Sequence, residues 1–323
     1  LLGELNGSHT GSGYTPQYPS GDSTASLGML FDQTWKGDGL KIQELLEKSP
    51  VLGAQTKVKN GVVLVGIDGT ALNADLNPWP LLNHREGCHL LLTFRGADGK
   101  TWDEVVKPIS RREESELLYQ RWVKARRTDV ERLSGGRLGY VHVRGMDGAS
   151  YRVIFDEIFG RYTNADALVV DTRFNGGGNL VEELTTLLSG RQYLTNIPRG
   201  QKVGIKPEDR WTKPSIVLIS ESNYSDAHGF PYGYKTLGIG ELVGMPVPGT
   251  MTSVWWETLQ DPTLYFGIPE VGKYDLKGHY LENQQLEPDH KVANDYAQLA
   301  QGRDQQLEAA VQIMLRQLDQ KKQ

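Results

Sequence analysis

The sequence predicts an α/β protein with a small β-rich module set into it, and three observations carry that reading. From Gly135-Gly136 onward, short β-branched apolar runs alternate with helical-looking segments, the texture of parallel strands joined by crossover helices. Ahead of that, from Ala25 to about Ile109, lies a block of short strands bounded by turn residues, with only Trp79 to Asn83 reading as helical; a block of that size makes one small β-rich domain. Between the two, Arg111 to Gly136 is rich in Arg, Glu and Gln, with Leu117, Leu118, Trp122 and Val123 at helical spacing. That spacing predicts an amphipathic connector whose charges form a solvated face.

The elements follow in order. Residues Leu1 to Tyr14 read as the end of a helix and then a Gly/Ser-rich loop that carries Ser8 and His9. His9 is held between Ser8 and Thr10 with Gly7 and Gly11 outside them, where the backbone can take unusual dihedrals and approach other groups closely. A solvated loop histidine is the plain reading, and a chemical role is the alternative. Thr15 to Asp22 has a linker composition. In the β-rich block, strands are expected over Leu27 to Asp32, Leu40 to Leu46, Gly61 to Gly69 and His89 to Phe94, with Thr101 to Pro108 marking its end. In the α/β part, strands are expected over Leu138 to Val143, Ala167 to Arg173 and Ser215 to Ser220. Helices are expected over Tyr151 to Phe159, over Leu180 to Leu188 and from near Asp226. His142 falls inside the first strand and reads as a core or face histidine. Thr263 to Ile268 is strand-like, and the chain closes on an amphipathic helix, Arg303 to Leu318, with Leu307, Val311, Met314 and Leu318 on one face.

Composition narrows the function classes. At 323 residues and 38% hydrophobic content, the chain can form two domains, or one large domain with an insert, around a real core. A net charge of -5 gives no basic field, which argues against nucleic acid as a main partner. No apolar run approaches a membrane span, and none has the form of a signal peptide. The chain opens on Leu1-Leu2 without a methionine and reads as a fragment or processed form, so localisation stays open between cytoplasm and a bacterial periplasm or envelope. The single cysteine, Cys88, excludes an internal disulfide framework and a multi-thiolate metal site. It is expected to be a buried small hydrophobe with His89 as its surface neighbour, since adjacent strand residues face opposite ways. His279 and His290 are too isolated to propose zinc.

Two stretches carry chemistry. In Ile216 to His228 an apolar strand feeds through a polar turn into a helix, which places Ser225 at the helix start, followed by Asp226. A hydroxyl there is either a helix N-cap or a nucleophile with backbone N–H groups beside it to hold an oxyanion. The second stretch is Asp171-Thr-Arg-Phe-Asn-Gly-Gly-Gly-Asn-Leu180. Three glycines between a strand and a helix suggest that backbone approaches something closely. Neither phosphate fingerprint is present, which leaves an oxyanion site favoured and a simple tight turn as the plain alternative.

Leu27-Gly28-Met29-Leu30, Ser49-Pro50 and Gly66-Ile67-Asp68-Gly69 resemble the peptide-binding loop and edge strand, the "SP" and the "IDG" of PDZ domains. The resemblance implies that an extended peptide adds to the sheet edge at Leu27, Gly28, Met29 and Leu30; a β-rich spacer that binds nothing is the alternative. Taken in order, Ser-His-Thr-Gly, this module, Asp-Thr-Arg-Phe-Asn-Gly-Gly-Gly, Tyr-Ser-Asp-Ala and Leu-Glu-Asn-x5-Pro-Asp resemble the tail-specific or C-terminal processing serine peptidases, and among them the tricorn core. That resemblance implies a crotonase-like core, of the ClpP and crotonase type, with the PDZ domain inserted. Its divisions would be residues 1–22 as the end of a helical subdomain plus a linker, 23–110 as the PDZ-like domain, and 111–323 as the peptidase core.

One branch of the family takes its general base from a lysine about two dozen residues after the serine, and the tricorn-like branch from a histidine ahead of the PDZ domain. Here the corresponding stretch, Pro248-Gly249-Thr250-Met251, has no lysine, and Lys235 lies too close to Ser225. The resemblance therefore implies Ser225 as nucleophile, His9 as base, and Ser8 with Glu282 orienting it; Glu287 is the rival carboxylate. It further implies an oxyanion hole from the backbone of Asp226 and of Gly177 or Gly178, and no metal or organic cofactor. His228 is a weaker competitor for the base, expected to point along the helix surface. The sequence departs from the family pattern over Pro248 to Trp256 and at Gln284-Gln285. The expected activity is hydrolysis of short or unfolded peptides. A non-catalytic binding protein of the same fold and a crotonase-type acyl-thioester enzyme are the competing readings. The sequence leaves the oligomeric state open, a homo-oligomer included.

Overall fold

Two mostly apolar runs, Ala167–Asp171 and Ser215–Ile219, are buried at every position, and such runs sit in the middle of a sheet covered on both faces. The computed structural model describes residues 2–16, 18–53 and 55–320. Leu1, Gln17, Ala54 and residues 321–323, which include the expected outer boundaries 1 and 323, lie outside the described residues. The chain forms two units, one made of Leu1–Gln17 with Ala125–Gln323 and the other of Tyr18–Lys124.

In the first unit the two buried runs are the central strands of a five-stranded parallel sheet. Its order is His290–Lys291, Glu241–Gly244, Ser215–Ile219, Ala167–Asp171, Leu138–His142. Register is continuous across four strands: Tyr140 lies opposite Val169, Val169 opposite Ile216, and Ile216 opposite Glu241. The helices over Gly148–Asp156, Val181–Leu188 and Asp226–Thr236 pack a single core that includes Ile154, Leu184, Leu187, Phe230 and Tyr234. The Gln305–Gln320 helix buries Leu307, Val311, Met314 and Leu318, the four positions read as its apolar face. Each such side chain contributes roughly 1.5–3 kcal/mol.

The strand and helix positions read from the sequence are met to within a few residues. The first helix of this unit starts earlier than the aromatic pattern suggested, at Gly148, because Asp147 caps it by accepting the Ser150 N–H at 2.8 Å. Gly11–Tyr14 departs from expectation: it is a strand, paired antiparallel with Leu264–Gly267. Its Gly/Ser composition carries no strand signal, and the Tyr265 ring lies over Gly13, where a Cβ would have to displace it.

A buried ion network closes the sheet end. Arg173, 2% exposed, donates to both carboxylate oxygens of Asp171 (2.9 and 2.7 Å), to Asp304 (2.9 Å) and to Gln306 (3.0 Å). Tyr140 Oη donates to Asp171 at 2.9 Å. The strand end before the glycine run is thereby tied to the start of the last helix.

The second unit is a six-stranded antiparallel sheet. Met29–Phe31, Leu40–Leu45, Val63–Ile67, Leu90–Arg95 and Thr101–Val106 follow in order, and Thr70–Ala71 is added to Val63–Ile67. Ile42, Leu64, Leu90, Leu92 and Phe94 are fully buried in its core. Cys88 is exposed, as is His89. The expected burial of Cys88 fails because the strand starts at Leu90, so Cys88 sits in the preceding turn and the alternation rule does not reach it.

The connector is one helix, Arg111–Ser134. Ser110 and Glu113 form a reciprocal capping box at its start, with the Glu113 N–H on Ser110 Oγ at 3.1 Å and the Ser110 N–H on Glu113 Oε2 at 2.8 Å. At its end Gly135 and Gly136 take positive φ, and the Gly136 N–H reaches back to the Glu131 carbonyl. No helix among the described residues is long and apolar enough to cross a membrane. No group of three or more His, Cys, Asp or Glu among them is placed to hold a metal ion.

Candidate active site

The Ser215–Ile219 strand delivers the chain to a turn that is organised by Asn223, itself 1% exposed. Its carbonyl accepts from the Ser220 N–H and Oγ, and its amide donates to Thr172 Oγ1 at 2.8 Å and to the Ala227 carbonyl at 3.1 Å. The last bond has a specific cause. Pro231 lies inside the Asp226–Thr236 helix and has no N–H to give the carbonyl four residues back, so Asn223 occupies the acceptor that proline leaves open.

Ser225 follows with φ 55° and ψ -123°, a region that costs a non-glycine residue on the order of 1–3 kcal/mol. Its N–H donates to Thr250 Oγ1 at 3.0 Å, and its carbonyl receives the N–H groups of His228 and Gly229. Its hydroxyl makes no capping bond. Ser225 thus holds the N-cap position through its carbonyl, as the plain reading has it, while its side chain takes no part in the cap.

Asp226, 6% exposed, turns its carboxylate away from the helix it begins. Oδ2 accepts the Leu180 N–H at 2.8 Å at the start of the Val181–Leu188 helix, and Oδ1 lies 3.7 Å from Lys273 Nζ. The negative charge thus faces the positive end of a neighbouring helix.

The glycine run passes against this turn. Gly177 and Gly178 have φ of 97° and 143°; a Cβ on Gly177 would lie 2.6 Å from the Ser225 Cβ, and one on Gly178 would lie 2.2 Å from the Met146 carbonyl oxygen. Only glycine fits either position. Asn175 holds the loop: its amide donates to the Val143 carbonyl, its main-chain carbonyl accepts the Tyr224 N–H at 3.0 Å, and its side-chain oxygen accepts the Gly177 N–H at 2.8 Å. That last bond narrows the expectation of a donor at Gly177 or Gly178. The Gly177 donor is already committed within the loop, so Gly178 and Asp226 are the remaining backbone candidates for an oxyanion.

Ser8 and His9 arrive from the other end of the sequence. The Gly11–Tyr14 strand pairing and a bond from Asn283 Nδ2 to the Asn6 carbonyl at 2.8 Å hold this segment in place. His9 has φ 61°. Its N–H donates to Tyr224 Oη at 2.7 Å, and its ring lies 4.6 Å, centroid to centroid, from the ring of Tyr224, the residue before Ser225. His9 Nδ1 is 2.8 Å from Ser8 Oγ and 3.2 Å from Thr252 Oγ1. Ser8 donates its N–H to Glu282 Oε1 and its hydroxyl to Oε2 at 3.0 Å, while Oε2 also takes the Met251 N–H at 2.7 Å. Partial burial pushes the His9 imidazole below the usual histidine range; Glu282 pulls it the other way, with Lys273 lowering it and Asp226 raising it.

The remaining candidates separate clearly. Glu287 points to the surface beside Lys291, at 3.7 Å, away from the Ser8 contact that Glu282 makes. Lys235 is engaged with Asp289 at 2.8 Å and the Glu287 carbonyl at 3.0 Å. His228 corrects the expectation of a surface ring: it is 1% exposed, its Nδ1 accepts the Thr250 N–H at 3.3 Å, and burial drives its pKa down to about 4. His142 is partly buried, its Nε2 3.1 Å from the Arg173 carbonyl. In the second unit, Leu27 and Met29 bury their side chains in the core, and Gly28 (φ 62°) gives its N–H to Ser26 Oγ at 2.9 Å. Of the four residues read as peptide-binding, Leu30 is half-buried, and Met29–Phe31 is an end strand of the sheet.

Sequence reasoning missed Asn175, Asn223, Tyr224, Thr250 and Thr252. The two threonines lie in the stretch that departs from the family pattern, and two hydroxyls one residue apart were the available signal.

The comparisons with known proteins give a family likeness and a fold. The family model for peptidase family S41 matches residues 137–292. Tricorn protease homolog 1 of Streptomyces coelicolor is 30% identical over 328 residues, covering 98% of this chain and 30% of that protein. The tricorn protease of Thermoplasma acidophilum is 25% identical over 277 residues, covering 84% of this chain and 25% of that protein. A crystal structure of the tricorn protease has the same mixed α/β fold, with a TM-score of 0.83 at 23% identity over 98% of this chain and 31% of that one. Over residues 137–292 this chain is similar to peptidase family S41, a class of serine-type peptidases. Within that class its likeness is to the tricorn proteases, and it spans less than a third of the length of these relatives.

Proposed function

We propose that this chain hydrolyses peptide bonds in short or unfolded peptides, with Ser225 as nucleophile and His9 as general base. The observation that carries this reading is the strained, uncapped serine at a strand-to-helix turn, beside a histidine anchored on the preceding tyrosine. In the proposed cycle His9 Nε2 takes the Ser225 proton as Oγ attacks the carbonyl, then returns it to the leaving amine. The Nδ1–H faces Ser8 Oγ, and the Ser8 hydroxyl faces Glu282, so the positive charge on the imidazolium is met by a carboxylate one hydroxyl away. The oxyanion would be held by the N–H groups of Asp226 and Gly178. Water then hydrolyses the acyl-enzyme by the same route. The scheme uses no metal or organic cofactor.

The finer architecture belongs to the same proposal. It takes the parallel-sheet unit as a crotonase-like core and the Tyr18–Lys124 unit as a PDZ-like module that guides peptide at the Met29–Phe31 edge. Residues 1–22 then act as the segment that supplies the histidine. A carrier of the same fold, or an acyl-thioester enzyme, would have no use for a serine held at positive φ with its hydroxyl uncapped.

The test is hydrolysis of a mixed fluorogenic peptide library, with fluorophosphonate labelling in parallel. Ser225→Ala and His9→Ala are each expected to lower turnover by roughly 10⁴-fold or more, and Ser225→Ala to abolish labelling. Activity that survives His9→Ala moves the base elsewhere. Absence of both hydrolysis and labelling in the wild type favours the binding-protein reading.

A further inference from the structure

One three-residue segment touches every component of the proposed catalytic group. Thr250 Oγ1 accepts the Ser225 N–H at 3.0 Å, the Met251 N–H donates to Glu282 Oε2 at 2.7 Å, and Thr252 Oγ1 lies 2.8 Å from Ser8 Oγ and 3.2 Å from His9 Nδ1. The same Thr252 hydroxyl is 3.0 Å from the Ser8 carbonyl oxygen. These contacts join three parts of the sequence more than two hundred residues apart at their extremes. We propose that Thr250-Met251-Thr252 is a clamp that sets Ser225, His9 and Glu282 in register, with Thr252 the positioning residue for the His9 imidazole and Thr250 for the Ser225 backbone.

Counting protons gives each threonine a distinct task. Ser8 has one hydroxyl proton, and Glu282 Oε2 at 3.0 Å is its charged acceptor. Ser8 Oγ is then an acceptor toward His9, so Nδ1 carries the proton and Nε2 keeps its lone pair free for a base's work. Thr252 has one hydroxyl proton to share between the Ser8 carbonyl at 3.0 Å and Ser8 Oγ at 2.8 Å, and with either choice its own oxygen remains a second acceptor for the same Nδ1–H at 3.2 Å. It therefore acts twice: it selects the tautomer, and it ties down the peptide that precedes His9, whose φ of 61° is otherwise unfavourable. Thr250 is 8% exposed and holds the N–H of the strained Ser225. Its own N–H rests on the Nδ1 of buried His228, so the clamp is braced from the core side.

This inference rests on the Ser225–His9 reading, and the experiment separates the two. Thr252→Val, Thr252→Ala and Thr252→Ser are compared with wild type and His9→Ala for kcat and KM on the best library peptide, with fluorophosphonate labelling rates for the least active forms. Thr252→Val and Thr252→Ala are expected to lower kcat by roughly 10- to 100-fold, the scale of a small misplacement of a catalytic group, with KM changed less than about threefold. Thr252→Ser is expected to restore most of that kcat, because it keeps the hydroxyl. In a His9→Ala background Thr252→Ala is expected to cost nothing further, since it acts through the ring. A Thr252→Ala enzyme within about twofold of wild type, beside an inactive His9→Ala, overturns the clamp and leaves the Ser225–His9 mechanism in place. Failure of Thr252→Ser to recover activity lost by Thr252→Ala overturns it equally. An active His9→Ala instead removes the reading on which the clamp depends.

Discussion

Ser225 is held in a conformation that the rest of the turn enforces. Its φ of 55° with ψ -123° belongs to glycine's territory, and the bonds that impose it come from Thr250 below and from His228 and Gly229 ahead. Strain of this kind persists only where the surroundings over-determine it. Replacing the side chain should expose the cost. Ser225→Gly is expected to be more stable than Ser225→Ala by about 1 kcal/mol or more, read as a higher urea midpoint, although both lack the nucleophile. Equal midpoints would mean that the turn relaxes freely and holds no strain. The neighbouring glycines obey the opposite logic: Gly177 and Gly178 face atoms too close for any Cβ, so their requirement is space as well as dihedral freedom. That much was legible in the run of three glycines. The bond that takes the Gly177 N–H out of service was not, because it depends on where the Asn175 side chain turns.

At the scale of elements, the Ala167–Asp171 strand and the Gln305–Gln320 helix are coupled by the Arg173 network. Arg173 sits two residues before Asn175, so the same anchor that closes the core also fixes the start of the glycine loop. Asp304 is 4% exposed, and the adjacent Arg173 holds its carboxyl below the usual range in spite of burial. Removing Asp304 leaves Asp171 to pair with Arg173 but strips the buried guanidinium of charged hydrogen bonds, each worth about 1.5–3 kcal/mol. Asp304→Ala is therefore expected to lower stability by at least that amount in denaturant unfolding and to reduce turnover in the surviving folded fraction. A loss below about 1 kcal/mol would show that the network is dispensable. Strands and helices were readable here because a two-sided buried strand and a one-sided helix write different periods into the sequence. The Gly11–Tyr14 strand wrote none, since its pairing with Leu264–Gly267 is made by the backbone.

For the molecule as a whole, the buried histidine next to the proposed site sets a pH limit on stability. His228 has a pKa near 4 against an ordinary 6.5, because burial opposes its charge. Between those values the unfolded chain binds a proton that the folded chain does not. Its contribution is complete above about pH 6.5 and is lost as the pH falls toward 4. A shift of that size corresponds to roughly 3 kcal/mol. Urea midpoints are accordingly expected to fall between pH 7 and pH 4.5, and to fall less in His228→Gln. An identical acid loss in that variant would assign the effect to other groups. The proposed base follows the same sign: His9, lowered by burial, stays neutral into mildly acidic solution.

What the sequence determined by itself is what local pattern can encode: a parallel α/β sheet, a separate run of antiparallel strands, a charged connecting helix, and a serine and a glycine run at the ends of two buried strands. These follow from hydrophobic period and turn chemistry, which act over a few residues. The tertiary structure alone decided the contacts between distant segments: Ser8 on Glu282, His9 on Tyr224, Thr252 between Ser8 and His9, and His228 in the core instead of on a helix surface. Those contacts depend on side-chain rotamers and on how four separate loops meet beyond the strand ends of one sheet. Hydrogen bonds have directions, and a direction exists only once the chain has folded.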